Sequence, residues 1–338
     1  MKTITKLLSS TAFMMGLAVV VSLLTNKYIT GIYPDFLADN SSLRSNITII
    51  LLAAMLTVTL SRIPYRDLNP VKNSRSVLRA IIIGLIVAST IPLVAYFIIK
   101  DIDGYSQYAP GLVFLAATPF AGSIGPLSFI LRGDLEHALR STIVVYVVAL
   151  LWIPFIVWVT LGETVDMTTV VKTVVELIGV PLILSRLFTK VKIDKTVMAV
   201  VLNCIIAFLV WLSVGSTNFG SAGFTVLAVF MIIAALRDVG LGLGTEAVEK
   251  KAGIPWSQRV TDVLMVSYKN KGIAIALCVA VMGPQTPYAM VAIAASIVVE
   301  VCWVAFMDSV LFSKKRMEAE LKADSEAGRH QDLVNNNF

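Results

Sequence analysis

The chain has 338 residues, of which 57% are hydrophobic and 15% charged, with a mean hydropathy of +0.82 and a formal net charge of +6. That is too apolar for a soluble protein of this length, and the charge does not point to nucleic acid, because the basic residues sit beside apolar runs. The alternating ten-residue segments of a membrane β-barrel are absent, so the class is an all-α polytopic membrane protein.

In chain order, apolar runs predict ten transmembrane helices: 7–28, 46–61, 77–99, 109–131, 138–161, 168–187, 196–213, 222–238, 259–283 and 287–311. The first run follows Lys2 and Lys6 and resembles a signal peptide, but it is long and no cleavage site follows it, so it is read as a retained span. Residues 1–312 form one transmembrane unit and 313–338 a polar C-terminal tail. With the N-terminus inside, cytoplasmic segments collect most basic residues, among them Arg75, Arg79, Arg140, Arg186, Arg237, Lys250 and Arg259. Outer segments hold Lys27, Arg44, Lys100 and Lys172. The asymmetry places both termini in the cytoplasm, and with no organellar targeting segment apparent the expected home is a prokaryotic plasma membrane. Spans 4 and 9, and spans 5 and 10, are offset by about 150 residues, the layout of a 5+5 inverted-topology repeat.

Two spans are interrupted at matched places. Span 4 carries Thr118-Pro-Phe-Ala-Gly-Ser-Ile-Gly-Pro126, with Pro119, Gly122, Ser123, Gly125 and Pro126 at mid-membrane depth. Span 9 carries Ser267-Tyr-Lys-Asn-Lys-Gly272. Lys269 and Lys271 lie some 15 Å from either end of that span, too deep for both to reach an interface. Ionisable residues at such depth mark functional sites by default. Corresponding broken helices are also the best sequence pointer to a transporter's binding site. On an intact helix the two lysines would point about 200° apart, so sharing one cavity requires unwinding around Asn270 and Gly272. The substrate or coupling-ion site is therefore expected at Thr118, Pro119, Gly122, Ser123, Gly125, Pro126, Ser267, Tyr268, Lys269, Asn270 and Lys271. Glu176 and Glu300 are candidate ion-pair partners, whereas Asp262 and Asp308 are expected near the interfaces and solvated. The plain alternatives are proline kinks and a structural ion pair.

Cys204, Cys278 and Cys302 read as packing residues within spans, and His137 and His330 fall in a loop and in the tail. No metal site, cofactor site or nucleophile–base set is apparent at one depth, which argues against an enzyme. Ten spans with matched breaks also argue against a retinal-type receptor.

Several short motifs carry a family resemblance. Asn270-Lys-Gly-Ile-Ala274 resembles the N-S-G-L-A element in the ninth span of the bile acid:sodium symporter family. Leu131-Arg-Gly-Asp-Leu135 is similar to that family's L-A-K-G-D element, and Met55 to Leu60 followed by Pro64 to Asp67 to the end of its second span. The resemblance implies a core of spans 3–5 and 8–10, in which broken spans 4 and 9 cross, and a panel of spans 1, 2, 6 and 7. A small organic anion would bind between them, and their relative movement would give alternating access. The chain departs from the family where Na⁺ would sit. Met265 stands in place of an acidic residue, Lys269 in place of a Gln, and Ile124-Gly125 in place of a Ser-Asn pair. Hard oxygen ligands are thus replaced by fixed positive charge. The reading is a Na⁺-independent carrier of a small organic anion, with H⁺ coupling, exchange or uniport, in which a buried lysine replaces the coupling cation. Its partners are that anion, the lipid bilayer and, for H⁺ coupling, a proton. The competing readings are a Na⁺-coupled organic-anion symporter and an efflux carrier of the arsenite or auxin-carrier type. Arsenite carriers would be expected to carry a cysteine in span 4, and none is there.

Overall fold

The computed structural model describes residue 5 and residues 7–61, 63, 74–191 and 194–326. Pro64 to Asp67 and His330 lie outside them. Among the described residues the secondary structure is helical, apart from one isolated antiparallel bridge between Phe120 and Lys269. The helices used below are α1 (Thr11–Leu24), α2 (Ser41–Leu60), α3 (Ser74–Ile99), α4 (Pro110–Ala117), α5 (Ile124–Ile130), α6 (Leu135–Leu161), α7 (Met167–Leu184), α8 (Lys195–Val214), α9 (Ala222–Lys251), α10 (Trp256–Ser267), α11 (Lys271–Val281), α12 (Thr286–Phe306) and α13 (Lys314–Glu326).

Seven of these elements are long and apolar enough to cross a membrane: α2, α3, α6, α7, α8, α9 and α12. The other three expected spans are shorter or broken. α1 has 14 residues, span 4 divides into α4 and α5, and span 9 into α10 and α11. Large apolar side chains such as Leu151, Ile183 and Phe224 point outward, as lipid-facing residues do.

Local sequence explains where helices begin. Asp134 accepts from the His137 amide at 2.9 Å at the start of α6, and Asp194 from Thr196 and Val197 at the start of α8. Asn270 caps α11 by accepting from the Ile273 amide at 3.0 Å. A side-chain oxygen at each cap satisfies amides that have no helical partner.

α9 runs well past the expected end at residue 238, through a π-type turn at Leu236–Gly240 to Lys251. Arg237 and Asp238 therefore sit inside a helix with 1% and 0% exposure, and Arg237 is not the interfacial residue expected from the charge pattern. α13 packs its Glu320 and Arg316 against Glu246 and Lys250 of α9 and Arg259 of α10.

Candidate functional site

Both broken spans end their first helices at the same place. α4 stops at Ala117, where Thr118 turns extended ahead of Pro119. α10 stops at Ser267, and α11 restarts at Lys271 behind its Asn270 cap. The two unwound segments then pair with each other. Ala121 donates its amide to the Tyr268 carbonyl at 2.9 Å, and Asn270 donates to the Pro119 carbonyl at 2.8 Å. Backbone groups that lost their helical partners thus find each other across the break, as a dry interior requires. Tyr146 ties the two segments from α6. Its hydroxyl donates to the Phe120 carbonyl at 3.1 Å and accepts from the Asn270 side-chain amide at 2.7 Å.

Lys269 leaves this bridge to enter a cage of oxygens. Its ammonium donates to the carbonyls of Thr118 at 2.6 Å, Ala116 at 3.2 Å and Gly84 at 3.3 Å, and to the Ser89 hydroxyl at 3.2 Å. An ammonium has three donors and no acceptor, so a cage made of acceptors suits the charged form; the lone pair of a neutral amine would face a carbonyl. Gly84 lies in a π-type turn at Ile82–Val87 of α3, and a Cβ there would stand 2.5 Å from the Phe120 ring. Only glycine lets the bridge strand approach α3 this closely.

Lys271 points elsewhere and forms a buried ion pair with Glu300 of α12, as one of the two candidate partners. The other candidate, Glu176, is 40% exposed and lies 4.0 Å from Lys172, one turn away on its own helix. Behind Lys271 and Glu300 sits the Arg237–Asp238 pair, with Arg237 Nη2 4.0 Å from Glu300 Oε2. These two residues were not expected at the site. Their signal was present in the apolar Val239-Gly-Leu-Gly-Leu-Gly244 stretch, which continues the span beyond them.

A cavity of about 640 Å³ opens beside this centre. Its lining includes Gly122, Ser123, Pro126, Tyr268, Lys269, Asn270, Lys271 and Glu300 on one side, and residues of α1, α2 and α8 such as Met15, Leu52, Met55, Leu202 and Leu209 on the other. It extends past Phe129, Ile130, Leu135 and Met198 toward Ser9 and Ile63. Apart from the two lysines and Glu300, the lining is apolar with scattered hydroxyls and amides.

Other expected residues sit off the cavity. The Ser267 hydroxyl donates to the Val263 carbonyl at 2.6 Å and accepts from Trp303 Nε1 at 2.9 Å. Thr118 and Pro119 act through their carbonyls, toward Lys269 and Asn270 respectively. Gly125 lies within α5, where a Cβ would meet Leu139 at 2.8 Å. Gly272 does line the cavity, but it is not a point of unwinding; it belongs to α11, and a Cβ there would collide with Leu52. The unwound residues are Tyr268, Lys269 and Asn270.

Two further expectations are corrected. Asp262 is fully buried, with its carboxylate 2.9 Å from Arg79 Nε and 3.0 Å from His137 Nε2. His137 accordingly lies in α6 rather than in a loop, with Ser76 and Ser141 at its other ring nitrogen. Asp308 is exposed. Arg79 also pairs with Glu249, so this second buried cluster joins α3, α6, α9 and α10.

A search among curated proteins returns no match. The model of the sodium bile acid symporter family matches residues 47–235, more than half of the chain and including α4, α5 and their intervening break. With that match, and with multiple apolar helices around a polar centre, the chain belongs to the sodium bile acid symporter family of membrane transporters.

Proposed function

We propose that this protein is a secondary transporter of a small organic anion, working by alternating access without Na⁺, in which the Lys269 ammonium occupies the place of a coupling cation. The observation that carries the reading is the cage around Lys269: three carbonyls and a hydroxyl within 3.3 Å of one positive charge. Such a set of neutral oxygens is what a hard cation takes, and here a side chain fills it. The reading includes ten spans in a 5+5 inverted repeat, with α4–α5 and α10–α11 as crossing broken spans. It also includes a core of spans 3–5 and 8–10, and a panel of spans 1, 2, 6 and 7. That division is supported by the cavity's lining, which draws residues from both groups. On the positive-residue orientation the cavity opens toward the cytoplasm of a plasma-membrane protein with both termini inside. The anion would meet Lys271, Ser123, Tyr268 and Asn270, while apolar residues of α1, α2 and α8 would set its size and shape. A non-enzymatic role is part of this reading.

A Na⁺-coupled symporter is the second reading, favoured by the family itself. Transport into proteoliposomes under separately imposed Na⁺ and H⁺ gradients distinguishes the two. Naphthalene-2-sulfonate is a suitable probe, because it stays ionised and does not leak across lipid as a neutral acid. Uptake that is indifferent to Na⁺ is expected. Strict dependence on Na⁺ in the unmodified protein would overturn the proposal.

A further inference from the structure

We infer that Glu300 is a tethered competitor for the anion site at Lys271, and that Arg237 receives its carboxylate when a ligand anion enters. The inference rests on the proposed role as an anion carrier and assigns that carrier's gate.

Lys271 and Glu300 both line the cavity, yet they are 6% and 1% exposed and paired with each other. Of the two lysines that line the cavity, Lys269 is held in its oxygen cage, and Lys271, the more exposed, is already occupied by Glu300. Three buried cations surround the centre, Lys269, Lys271 and Arg237, against two buried carboxylates, Glu300 and Asp238. One positive charge is in excess, so the centre can accept one negative charge from a ligand with no accompanying cation. The charge balance permits binding, but the geometry requires that Glu300 first leave Lys271.

A displaced carboxylate left without a partner in this interior would be costly, because removing one half of a buried pair exposes the full desolvation penalty of the other. Arg237 offers the alternative. Its Nη2 already lies 4.0 Å from Glu300 Oε2, so a shift of roughly 1 Å makes a charge-assisted hydrogen bond of ordinary length. Arg237 also has donors to spare. Nε, Nη1 and Nη2 are all buried without a hydrogen bond of good geometry, although Asp238 pairs with the guanidinium electrostatically. Five N–H groups in a planar fork are enough to hold two carboxylates at once. Arg237 does not line the cavity, so it is reserved for the protein's own carboxylate rather than for the ligand. The step is an exchange of partners: Lys271 passes from Glu300 to the ligand, and Glu300 passes from Lys271 to Arg237.

The test uses the full chain in lipid nanodiscs and equilibrium dialysis with naphthalene-2-sulfonate, with the uncharged naphthalene-2-sulfonamide as control. Glu300→Gln is expected to tighten sulfonate binding about tenfold and leave the sulfonamide unchanged. Arg237→Met is expected to weaken sulfonate binding about tenfold in the wild-type background but less than about threefold in the Glu300→Gln background, since Glu300 then needs no receiver. No tightening with Glu300→Gln, equal penalties for Arg237→Met in both backgrounds, or no sulfonate binding to either the unmodified protein or the Glu300→Gln variant overturns the inference. Infrared difference spectra of the unmodified protein need no variant to fold. Adding the sulfonate, but not the sulfonamide, should shift a carboxylate band, and an unshifted spectrum overturns the gate. Proteoliposome flux separates the two levels. Na⁺-dependent flux with a non-additive binding cycle refutes the transport reading alone, and Na⁺-independent flux with an additive cycle refutes the gate alone.

Discussion

Lys269→Gln removes the ammonium from its cage but leaves the carbonyls of Gly84, Ala116 and Thr118 and the Ser89 hydroxyl in place. The shorter amide side chain can add an oxygen of its own. In the unmodified protein a Na⁺ held about 4 Å from the ammonium meets roughly 4 kcal/mol of repulsion at an effective dielectric of about 20. Removing that repulsion changes the dissociation constant by about 10³-fold, enough to bring an immeasurable affinity into the millimolar range. Unfolding temperature in nanodiscs, titrated with NaCl against N-methylglucamine chloride at equal ionic strength, reads this directly. If the variant's dissociation constant is near 1 mM, a hundredfold excess of Na⁺ adds about 2.7 kcal/mol of stability, a shift of several degrees. The unmodified protein should show no Na⁺-specific shift. Equal Na⁺ stabilisation of both proteins, or a folded variant indifferent to Na⁺, would refute the argument that an ammonium stands where a cation would bind.

Three further outcomes are expected. Tyr146→Phe removes the hydroxyl that joins the Phe120 carbonyl to Asn270, and should cost about 1–3 kcal/mol in chemical or thermal unfolding, with a loss of flux because both unwound segments lose a tie. Gly84→Ala places a methyl against the buried Phe120 ring and should destabilise by about 1–3 kcal/mol, whereas Gly240→Ala, with open space around it, should be tolerated within about 1 kcal/mol. The docking of α13 should weaken in acid. Burial pushes the Glu320 carboxyl up, but hydrogen bonds from Lys250 and Arg259 more than offset this and hold it below the usual glutamate value. A group with a lowered folded pKa contributes stability that is present above the unfolded value, about 4.3, and lost as pH falls through the folded one. Hydrogen exchange in 314–326 should therefore be slow at pH 7 and accelerate below about pH 4 once corrected for intrinsic rates, and Glu320→Gln should show fast exchange at both. Unchanged protection across that range would contradict the assignment.

Most of the scaffold was legible because lipid imposes a simple rule on sequence: long apolar runs become helices, and what interrupts them stands out. Pro119, Gly122 and Pro126 in one span, and Lys269 and Lys271 in another, could not be absorbed into a plain apolar helix. Sequence spacing therefore found both breaks. It did not foresee that the unwound residues would pair through Ala121, Tyr268, Pro119 and Asn270, because backbone pairing leaves no side-chain signature. Choosing between Glu176 and Glu300 needed three dimensions, although Lys172 one turn before Glu176 was a local hint of a separate pair. Arg237 and Asp238 were hidden by a boundary rule. A charge after an apolar run reads as the end of a span, yet the helix continues, and close packing of Gly242 against Trp303 shows that its later turns remain within the protein. Asp262 was misread in the same way, since Arg79 and His137, distant in sequence, supply what water would otherwise give.

The ion in the Lys269 cage differs from any dissolved one in being covalently attached to the unwound segment that pairs with one wall of the cage. Lys269 pairs with Phe120 through its backbone while its side chain reaches Thr118 and Ala116 on the same broken span. Its local concentration is therefore set by four rotatable bonds and not by the medium, and its ordering entropy is spent when the chain folds rather than at each cycle. A tethered ion is never lost to dilution, and it also draws no energy from a Na⁺ gradient. On the proposed reading, such a carrier would work equally well in fresh and saline surroundings. In the uniport mode, the direction of net flow would follow the substrate's own electrochemical gradient.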